Sequence, residues 1–182
     1  MQLPTLHTES FSLRPWHSND ALSLIKHANN PKIAANLRDG FPHPYTLPDA
    51  RKWLKRLGEN RDDIILAIVV DGEAAGGIGL HGMKDVYRYN GEIGYWLSEQ
   101  HWGKGIMSGA VGLMVEYAFV QTHWLRLFAC IYENNLSSMR VLEKNGFQRE
   151  SIHRRAVMKE GKLQDEHLFA LLKEKWEKDI ST

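Results

Sequence analysis

The apolar and polar residues of this chain change period once near its middle, and that change predicts the central elements. In 92–97 the apolar side chains alternate with the others: Ile93, Tyr95 and Leu97 lie between Glu92, Gly94 and Trp96. This is the period of a β-strand. Beyond 100–105 the apolar residues return at helical spacing, at Ile106, Ala110, Leu113, Tyr117 and Val120. The pattern therefore predicts a strand, a glycine-containing turn and a helix.

The flanking segments carry the same two periods. Strands are predicted at 11–14, 64–70, 74–80 and 125–132, with a terminal hairpin at 149–158 and 163–172. Helices are predicted after the capping residues 18–20, after a capping box at 46–49, and from near Leu136, with Gly146 suited to the left-handed position after that last helix. Since strand–helix–strand succession occurs once, we expect an α/β (α+β mixed) single domain over 1–182. Antiparallel hairpins should flank one parallel pair joined by a right-handed crossover.

The turn at 100–105 has the properties of an anion site. The first N–H groups of a helix lack intrahelical partners and lie at the positive end of the helix dipole. Gly103 and Gly105 would let a phosphate approach the main chain closely, and Lys104 adds a positive charge. The alternative is a plain strand-to-helix turn in which the glycines only satisfy backbone geometry. A P-loop is excluded, because Ile106 follows Gly105 where lysine is required.

A dinucleotide-binding fingerprint is a near match at the same turn. The pattern G-x-G-x-x-G requires glycine where Ser108 stands, and Glu133 follows the next strand, roughly where a ribose-binding acid would be sought. A dinucleotide-binding domain would repeat the strand–helix–strand unit, and this chain does not. A nicotinamide-dinucleotide-binding enzyme is therefore a less favoured alternative.

Three motifs carry a resemblance to a known family. They are Gln-x-x-Gly-x-Gly at 100–105, Asn-x-x-Ser at 135–138 and VLEKNGF at 141–147. With them the chain resembles the GNAT superfamily of acetyl-CoA-dependent N-acetyltransferases, and LRPW at 13–16 and EIGYWL at 92–97 are most similar to the RimJ/RimL-like branch. Namesakes of that branch acetylate the N-terminal amine of ribosomal proteins. The resemblance implies the GNAT acyl-CoA N-acyltransferase fold, a mostly antiparallel central sheet with helices on both faces.

The resemblance also implies which residues would hold acetyl-CoA as co-substrate. The main chain of the turn would bind the pyrophosphate, with Gln100 opening it and the contacts made by His101, Trp102, Gly103, Lys104, Gly105 and Ile106. The pantetheine arm would lie along the strand at Tyr95, Trp96, Leu97 and Ser98, and Asn135 would hydrogen-bond it. A main-chain amide of that strand would stabilise the tetrahedral oxyanion.

Two side chains are the predicted catalytic residues. Glu92 stands on a strand beside Gly94, where a substrate has room, and would act as general base on a primary amine, directly or through a water. The alternative for Glu92 is a strand-edge ion pair. Ser138 would protonate the leaving thiolate, because Leu142 occupies the position at which many family members carry a tyrosine. For Asn135 and Ser138 the alternative role is helix capping.

Composition and charge limit the kinds of partner that the chain is expected to bind. A formal net charge of +1 and the absence of a long basic run exclude a nucleic-acid binder, and no apolar stretch has the length of a membrane span. The single cysteine, Cys130, is predicted as a small core residue rather than a nucleophile, which favours direct transfer in a ternary complex. Nine histidines show no metal-ligand spacing, so no metal is expected.

The predicted function is acetyl transfer to a primary amine in the cytoplasm, with a protein N-terminal α-amine favoured over a small amine. The loop 38–45, with Phe41, His43 and Tyr45, would line the acceptor pocket or cover the core. A catalytically inactive acyl-CoA-binding module is the alternative. The sequence leaves open whether the protein forms a homodimer.

Overall fold

The computed structural model describes residues 3–59 and 63–180. Its strands are β1 (Leu6–His7), β2 (Ser12–Pro15), β3 (Ile64–Val70), β4 (Glu73–Gly82), β5 (Asn90–Leu97), β6 (Arg126–Tyr132), β7 (Gln148–Lys159) and β8 (Lys162–Leu172). Its α-helices are α1 (Ala21–Ala28), α2 (Pro31–Ala34), α3 (Leu47–Glu59), α4 (Ile106–Gln121), α5 (Leu136–Lys144) and α6 (Lys173–Ile180). The predicted strand, turn and helix at the centre of the chain are β5, 98–105 and α4.

The strands follow the order β1-β2-β3-β4-β5-β6-β8-β7 in one sheet. β5 and β6 are parallel, and their register runs from Asn90↔Arg126 to Glu92↔Phe128. The pairs β1–β2, β2–β3, β6–β8 and β7–β8 are antiparallel. The predicted mixed sheet with a parallel strand–helix–strand unit is therefore confirmed.

The described chain divides into two compact units. The first unit comprises 3–59, 63–79 and 94–110, and the second comprises 80–93 and 111–180. Strands β4 and β5 contribute residues to both. In the first unit, α1 and α3 bury Ala21, Leu24, Ala28, Tyr45 and Ala50 against partly buried aromatic side chains that include Trp16, Phe41, Trp53 and Trp96.

In the second unit, the buried side chains of α4 are Val111, Met114, Val115, Ala118 and Phe119. The predicted apolar face of this helix was wrong at Val120, which is 58% exposed. The reason is that α4 is apolar on most of its surface, so helical spacing selects no single face. Cys130 is half-buried, because β6 alternates between buried and partly exposed positions rather than being buried throughout as expected.

Two elements carry no strong pattern and were not predicted. β1 has two residues. α6 has no buried residue and nevertheless contacts α4. Lys173 Nζ donates to the Phe119 carbonyl at 2.5 Å, and the Trp176 ring packs against the Phe119 ring with the centroids 5.5 Å apart. Its position depends on tertiary contacts and not on an apolar stripe.

The residues before α1 do not form the expected helix cap. Residues 18–20 form a short 3-10 helix, and Asp20 makes no side-chain cap to α1. Instead the buried Asp20 carboxylate accepts Arg14 Nη1 and Nη2 at 2.7 and 2.8 Å and the His17 N–H at 2.8 Å. Burial alone would raise the pKa of Asp20, but the hydrogen bonds from Arg14 and His17 outweigh it and lower that pKa.

We expect Asp20→Asn to reduce the free energy of unfolding by about 2–3 kcal/mol at pH 7, because it leaves the part-buried Arg14 without its carboxylate. The folded-state pKa of Asp20 is depressed. Its stabilisation is therefore complete above the unfolded pKa of about 3.9 and is lost as the pH falls through the folded pKa. Urea unfolding at several pH values measures this. The difference between wild type and variant should shrink below pH ~4, and a constant difference down to pH ~3 would contradict the assignment.

Candidate active site

The turn before α4 presents its main chain outward. Gly103 and Gly105 have φ of +73° and +78°, a conformation that only glycine adopts without cost. Both are exposed, and among the described residues no atom lies within 4 Å of a Cβ built on either. The Gly105 carbonyl accepts the Gly109 N–H at 3.0 Å, so Gly105 immediately precedes the helix. The geometry therefore fits a phosphate group at the helix N-terminus.

Of the side chains that precede Gly103 in the turn, His101 is buried, whereas Gln100 and Trp102 are exposed. Trp102 Nε1 donates to the Leu97 carbonyl at 2.7 Å, and the Gln100 amide donates to His101 Nε2 at 3.0 Å. Burial, followed by the nearby Lys104 charge, lowers the pKa of His101, so this imidazole is neutral at pH 7. Its Nδ1 atom is buried and has no hydrogen-bond partner within 3–59 and 63–180. Lys104 is exposed and adds the positive charge at the turn.

The end of β5 also offers main chain rather than side chains. The Trp96 ring packs on Phe41 at 5.7 Å, Leu97 is buried, and the Ser98 hydroxyl lies 3.0 Å from His27 Nδ1. The Ser98 N–H donates to the Ala75 carbonyl at 2.8 Å, so this amide is already paired within the sheet. Tyr95 is half-buried. A pantetheine arm here would have to pair with main-chain groups of 95–97.

Glu92 lies in the parallel register of β5, opposite Phe128 of β6, and is half-buried. Alternation along β5 places Gly94 and Trp96 on the same face of the strand as Glu92. Gly94 is exposed, and no described atom lies within 4 Å of a Cβ built on it. The face of β5 that carries Glu92 is therefore open at Gly94, and the role of Glu92 as general base stays a prediction.

Asn135 and Ser138 lie in the second unit, at the start of α5. The Asn135 side-chain oxygen accepts the Ser138 N–H at 3.2 Å, so Asn135 caps this helix. Ser138 is buried to 8% exposure, and Leu142 is fully buried. The capping role of Asn135 is thus present in the structure, and a ligand contact by its side-chain amide would be additional.

The structure assigns the predicted site residues to the two units. The first unit contains Tyr95, Trp96, Leu97, Ser98 and the turn 100–106, and the second contains Glu92, Asn135 and Ser138. In the loop 38–45, Tyr45 is 3% exposed and packs against Phe41 with the ring centroids 5.0 Å apart, and burial raises the pKa of Tyr45 to about 12. Tyr45 is therefore a core residue, whereas His43 is exposed.

Sequence reasoning missed a set of side chains that hold the turn from α1 and α2. His27 contacts Ser98, and Asn30 Nδ2 donates to Glu99 Oε2 at 2.8 Å. Lys32 pairs with the same Glu99 carboxylate. About seventy residues separate each pair along the chain, so no local spacing could have indicated them.

Two further findings bear on the site. Within 3–59 and 63–180, no group of three or more His, Cys, Asp or Glu side chains is arranged to hold a metal ion. In the same residues, no helix combines the length and apolar character needed to cross a membrane.

Comparison with known proteins adds independent information. A family model described as the acetyltransferase (GNAT) domain matches residues 11–148. A Bacillus licheniformis protein named "Uncharacterized N-acetyltransferase p20" is 30% identical over 184 residues, covering 96% of this chain and 99% of that protein. The ribosomal-protein-serine acetyltransferase of Escherichia coli (strain K12) is 36% identical over 81 residues, covering 43% of this chain and 44% of that protein.

One of the most similar solved structures is RimL, a ribosomal alpha-N-protein acetyltransferase in complex with coenzyme A. It has a TM-score of 0.82 and 22% identity over 93% of this chain and 98% of its own. At that identity the likeness shows the fold.

Proposed function

Because the chain belongs to the GNAT family of N-acetyltransferases, we propose that it transfers the acetyl group of acetyl-CoA to a primary amine. A protein N-terminal α-amine is the favoured acceptor. The observation that carries the proposal is the exposed turn at 103–105, with its two left-handed glycines and open surroundings at the start of a sixteen-residue helix. Such a turn binds a diphosphate through main-chain N–H groups.

This proposal assigns a side chain or a main-chain group to each step of the acetyl transfer. The Gly103–Gly105 turn and Lys104 hold the pyrophosphate, while the main chain of 95–97 aligns the pantetheine arm and supplies the oxyanion donor. Glu92 removes a proton from the amine, which then attacks the thioester carbonyl within a ternary complex. Asn135 steadies the pantetheine, and Ser138 donates a proton to the departing thiolate.

The preference for an α-amine follows from its proton affinity. A terminal α-amine has a reference pKa of about 7.7–8.0 and lysine about 10.4, so the α-amine is partly neutral at cellular pH and lysine is scarcely so. An α-amine therefore depends less than lysine on a general base to become neutral. The names of similar proteins that act on ribosomal proteins support the same choice.

A thiol-release assay tests the proposal directly. Purified protein with acetyl-CoA should release coenzyme A when given a peptide with a free N-terminus, and less when that terminus is blocked and only a lysine or a small amine is offered. Calorimetry should show binding of acetyl-CoA and not of NAD. Binding without turnover on any amine would indicate an inactive acyl-CoA-binding module, and no binding of acetyl-CoA would overturn the proposal.

We expect a larger side chain at position 94 to hinder binding of the acceptor amine. Gly94 has no left-handed φ, and the space into which a side chain would extend is open, so Gly94→Ala and Gly94→Val should fold as stably as wild type. If the amine enters beside Glu92, a side chain here costs about 1–3 kcal/mol of overpacking against it. The KM for the amine should rise about tenfold or more in Gly94→Val and less in Gly94→Ala, with acetyl-CoA affinity unchanged. An unchanged KM in both variants would remove the acceptor from this face.

A further inference from the structure

A chain of hydrogen bonds connects β4, α1 and the residue after β5 in the first unit. His27 Nε2 lies 2.9 Å from Glu73 Oε2, and His27 Nδ1 lies 3.0 Å from Ser98 Oγ. The His27 side chain is 2% exposed, and Ser98 is 7% exposed. Both ring nitrogens of a fully buried imidazole are therefore used to join a carboxylate to the residue that precedes the turn.

The direction of each proton follows from the partners. Hydrogen bonds from Lys26, whose Nζ is 2.6 Å from Glu73 Oε2, and from His27 lower the pKa of Glu73, so its carboxylate is ionised at neutral pH. An ionised carboxylate only accepts hydrogen bonds, and His27 Nε2 must carry a hydrogen. When the ring carries a single hydrogen, Nδ1 therefore has none, and it accepts the hydrogen of the Ser98 hydroxyl. Glu73 thus fixes the tautomer of His27, and His27 fixes the Ser98 hydroxyl.

A nucleophilic role for Ser98 does not fit this arrangement. Its side chain is buried, and its N–H is paired with the Ala75 carbonyl, so it could not serve as an oxyanion donor. The contacts of Ser98 instead fix the position of this residue. The adjacent Glu99 is held independently by Asn30 and Lys32, and the His101 ring lies 6.3 Å from the His27 ring. Ser98 and Glu99, which lead into the turn, are therefore held by side chains from α1 and from the start of α2.

We propose that Glu73, His27 and Ser98 form a positioning relay that holds residues 98–101 in place and thereby sets the affinity of the turn for the pyrophosphate of acetyl-CoA. This inference rests on the proposed function for its ligand. The three residues do not contact the reacting atoms, so they influence acetyl-CoA binding and leave the chemical step unchanged. The relay makes β4 and α1, which lie outside the predicted site, part of the cofactor-binding apparatus.

Glu73→Leu is the informative variant. The Glu73 side chain is 45% exposed, so an apolar replacement at this position should not unfold the protein. Leucine has no acceptor for the Nε2–H, so nothing then keeps the ring hydrogen on Nε2 and the bond to Ser98 in one direction. We expect ¹⁵N NMR of the His27 ring to show a protonated Nε2 in wild type and a larger share of protonated Nδ1 in Glu73→Leu. The KM for acetyl-CoA should rise about fivefold or more, the loss expected from one net hydrogen bond, while kcat changes less than twofold.

The charge change makes this prediction discriminating. Glu73→Leu removes a negative charge, which by electrostatics alone would improve binding of an anionic cofactor. A loss of affinity therefore cannot come from charge. Lys26→Met is the matched control, because it removes the exposed ion pair to the same carboxylate and leaves both bonds of His27 intact. It should retain the wild-type tautomer.

Hydrogen exchange separates this inference from the proposed function. In protein without ligand, the amides of 98–102 should lose protection in Glu73→Leu and in Ser98→Ala, and keep it in Lys26→Met. Equal protection in all four proteins, or an unchanged KM for acetyl-CoA in Glu73→Leu, would overturn the relay. A wild-type protein that fails to bind acetyl-CoA would overturn the proposed function, and the exchange rates alone would then decide whether the relay positions the turn.

Discussion

Glu92→Gln is expected to lower kcat by about two to four orders of magnitude, the usual contribution of a general base, while acetyl-CoA binds as tightly as to wild type. The change keeps the shape of the side chain and the parallel register of β5 on β6 at Glu92↔Phe128. It removes the negative charge of the side chain and with it the ability to accept a proton. Steady-state kinetics with a saturating peptide acceptor, together with calorimetry of acetyl-CoA, would measure the two quantities separately.

The acceptor supplies an internal check on that prediction. An α-amine with a pKa of about 7.7–8.0 is mostly neutral near pH 9, whereas a lysine with a pKa of about 10.4 is not. Raising the pH should therefore rescue part of the lost activity for an N-terminal acceptor and much less of it for lysine. Glu116→Gln, at an exposed position of α4, is the control and should behave as wild type. A pH–rate profile in Glu92→Gln that matches wild type would exclude Glu92 as the base.

Removing Ser138 should cost less than removing Glu92. The group that leaves is a thiolate, and a thiol has a reference pKa of about 8.5, so the thiolate departs from the intermediate without complete protonation. The attacking amine has no such alternative, because its protonated form cannot attack. The base is therefore the more demanding of the two proton-transfer roles.

The centre of the fold could be predicted because neighbouring residues determine it. The alternation in 92–97 predicted β5, and the helical spacing after Gly105 predicted α4. At the end of α5, Gly146 has φ of +82° and the Phe147 N–H bonds the Leu142 carbonyl at 3.1 Å, as its position after the helix predicts. Each of these features depends on contacts within a few residues.

The rest of the structure depends on distant partners. Insertion of β8 between β6 and β7 leaves no trace in the local pattern of either strand. His27 occupies an ordinary place in the last turn of α1, and only the folded chain brings it to Glu73 and Ser98, 46 and 71 residues away. The candidate site was predictable to the extent that it consists of a turn and a strand. The side chains that support the turn were not.

Gly105→Ala is expected to weaken acetyl-CoA binding about tenfold or more, because it acts on the backbone conformation that the proposed pyrophosphate site requires. An L-residue at φ of +78° costs about 1–2 kcal/mol. The chain can relieve that strain by rotating the turn away from the geometry in which its N–H groups converge. Space is not the limitation, since no described atom lies within 4 Å of the added Cβ. Any loss of affinity therefore reports on backbone conformation.

Gly161→Ala provides a matched control for this effect. Gly161, in the turn between β7 and β8, has φ of +74° and equally open surroundings among the described residues. The two variants should lose similar free energies of unfolding, because each places an L-residue in the left-handed region. Only Gly105→Ala should lose affinity for acetyl-CoA in calorimetry. Equal affinity in both variants would mean that the cofactor does not bind through this turn, since the same strain would then have no consequence at the position where the helix begins.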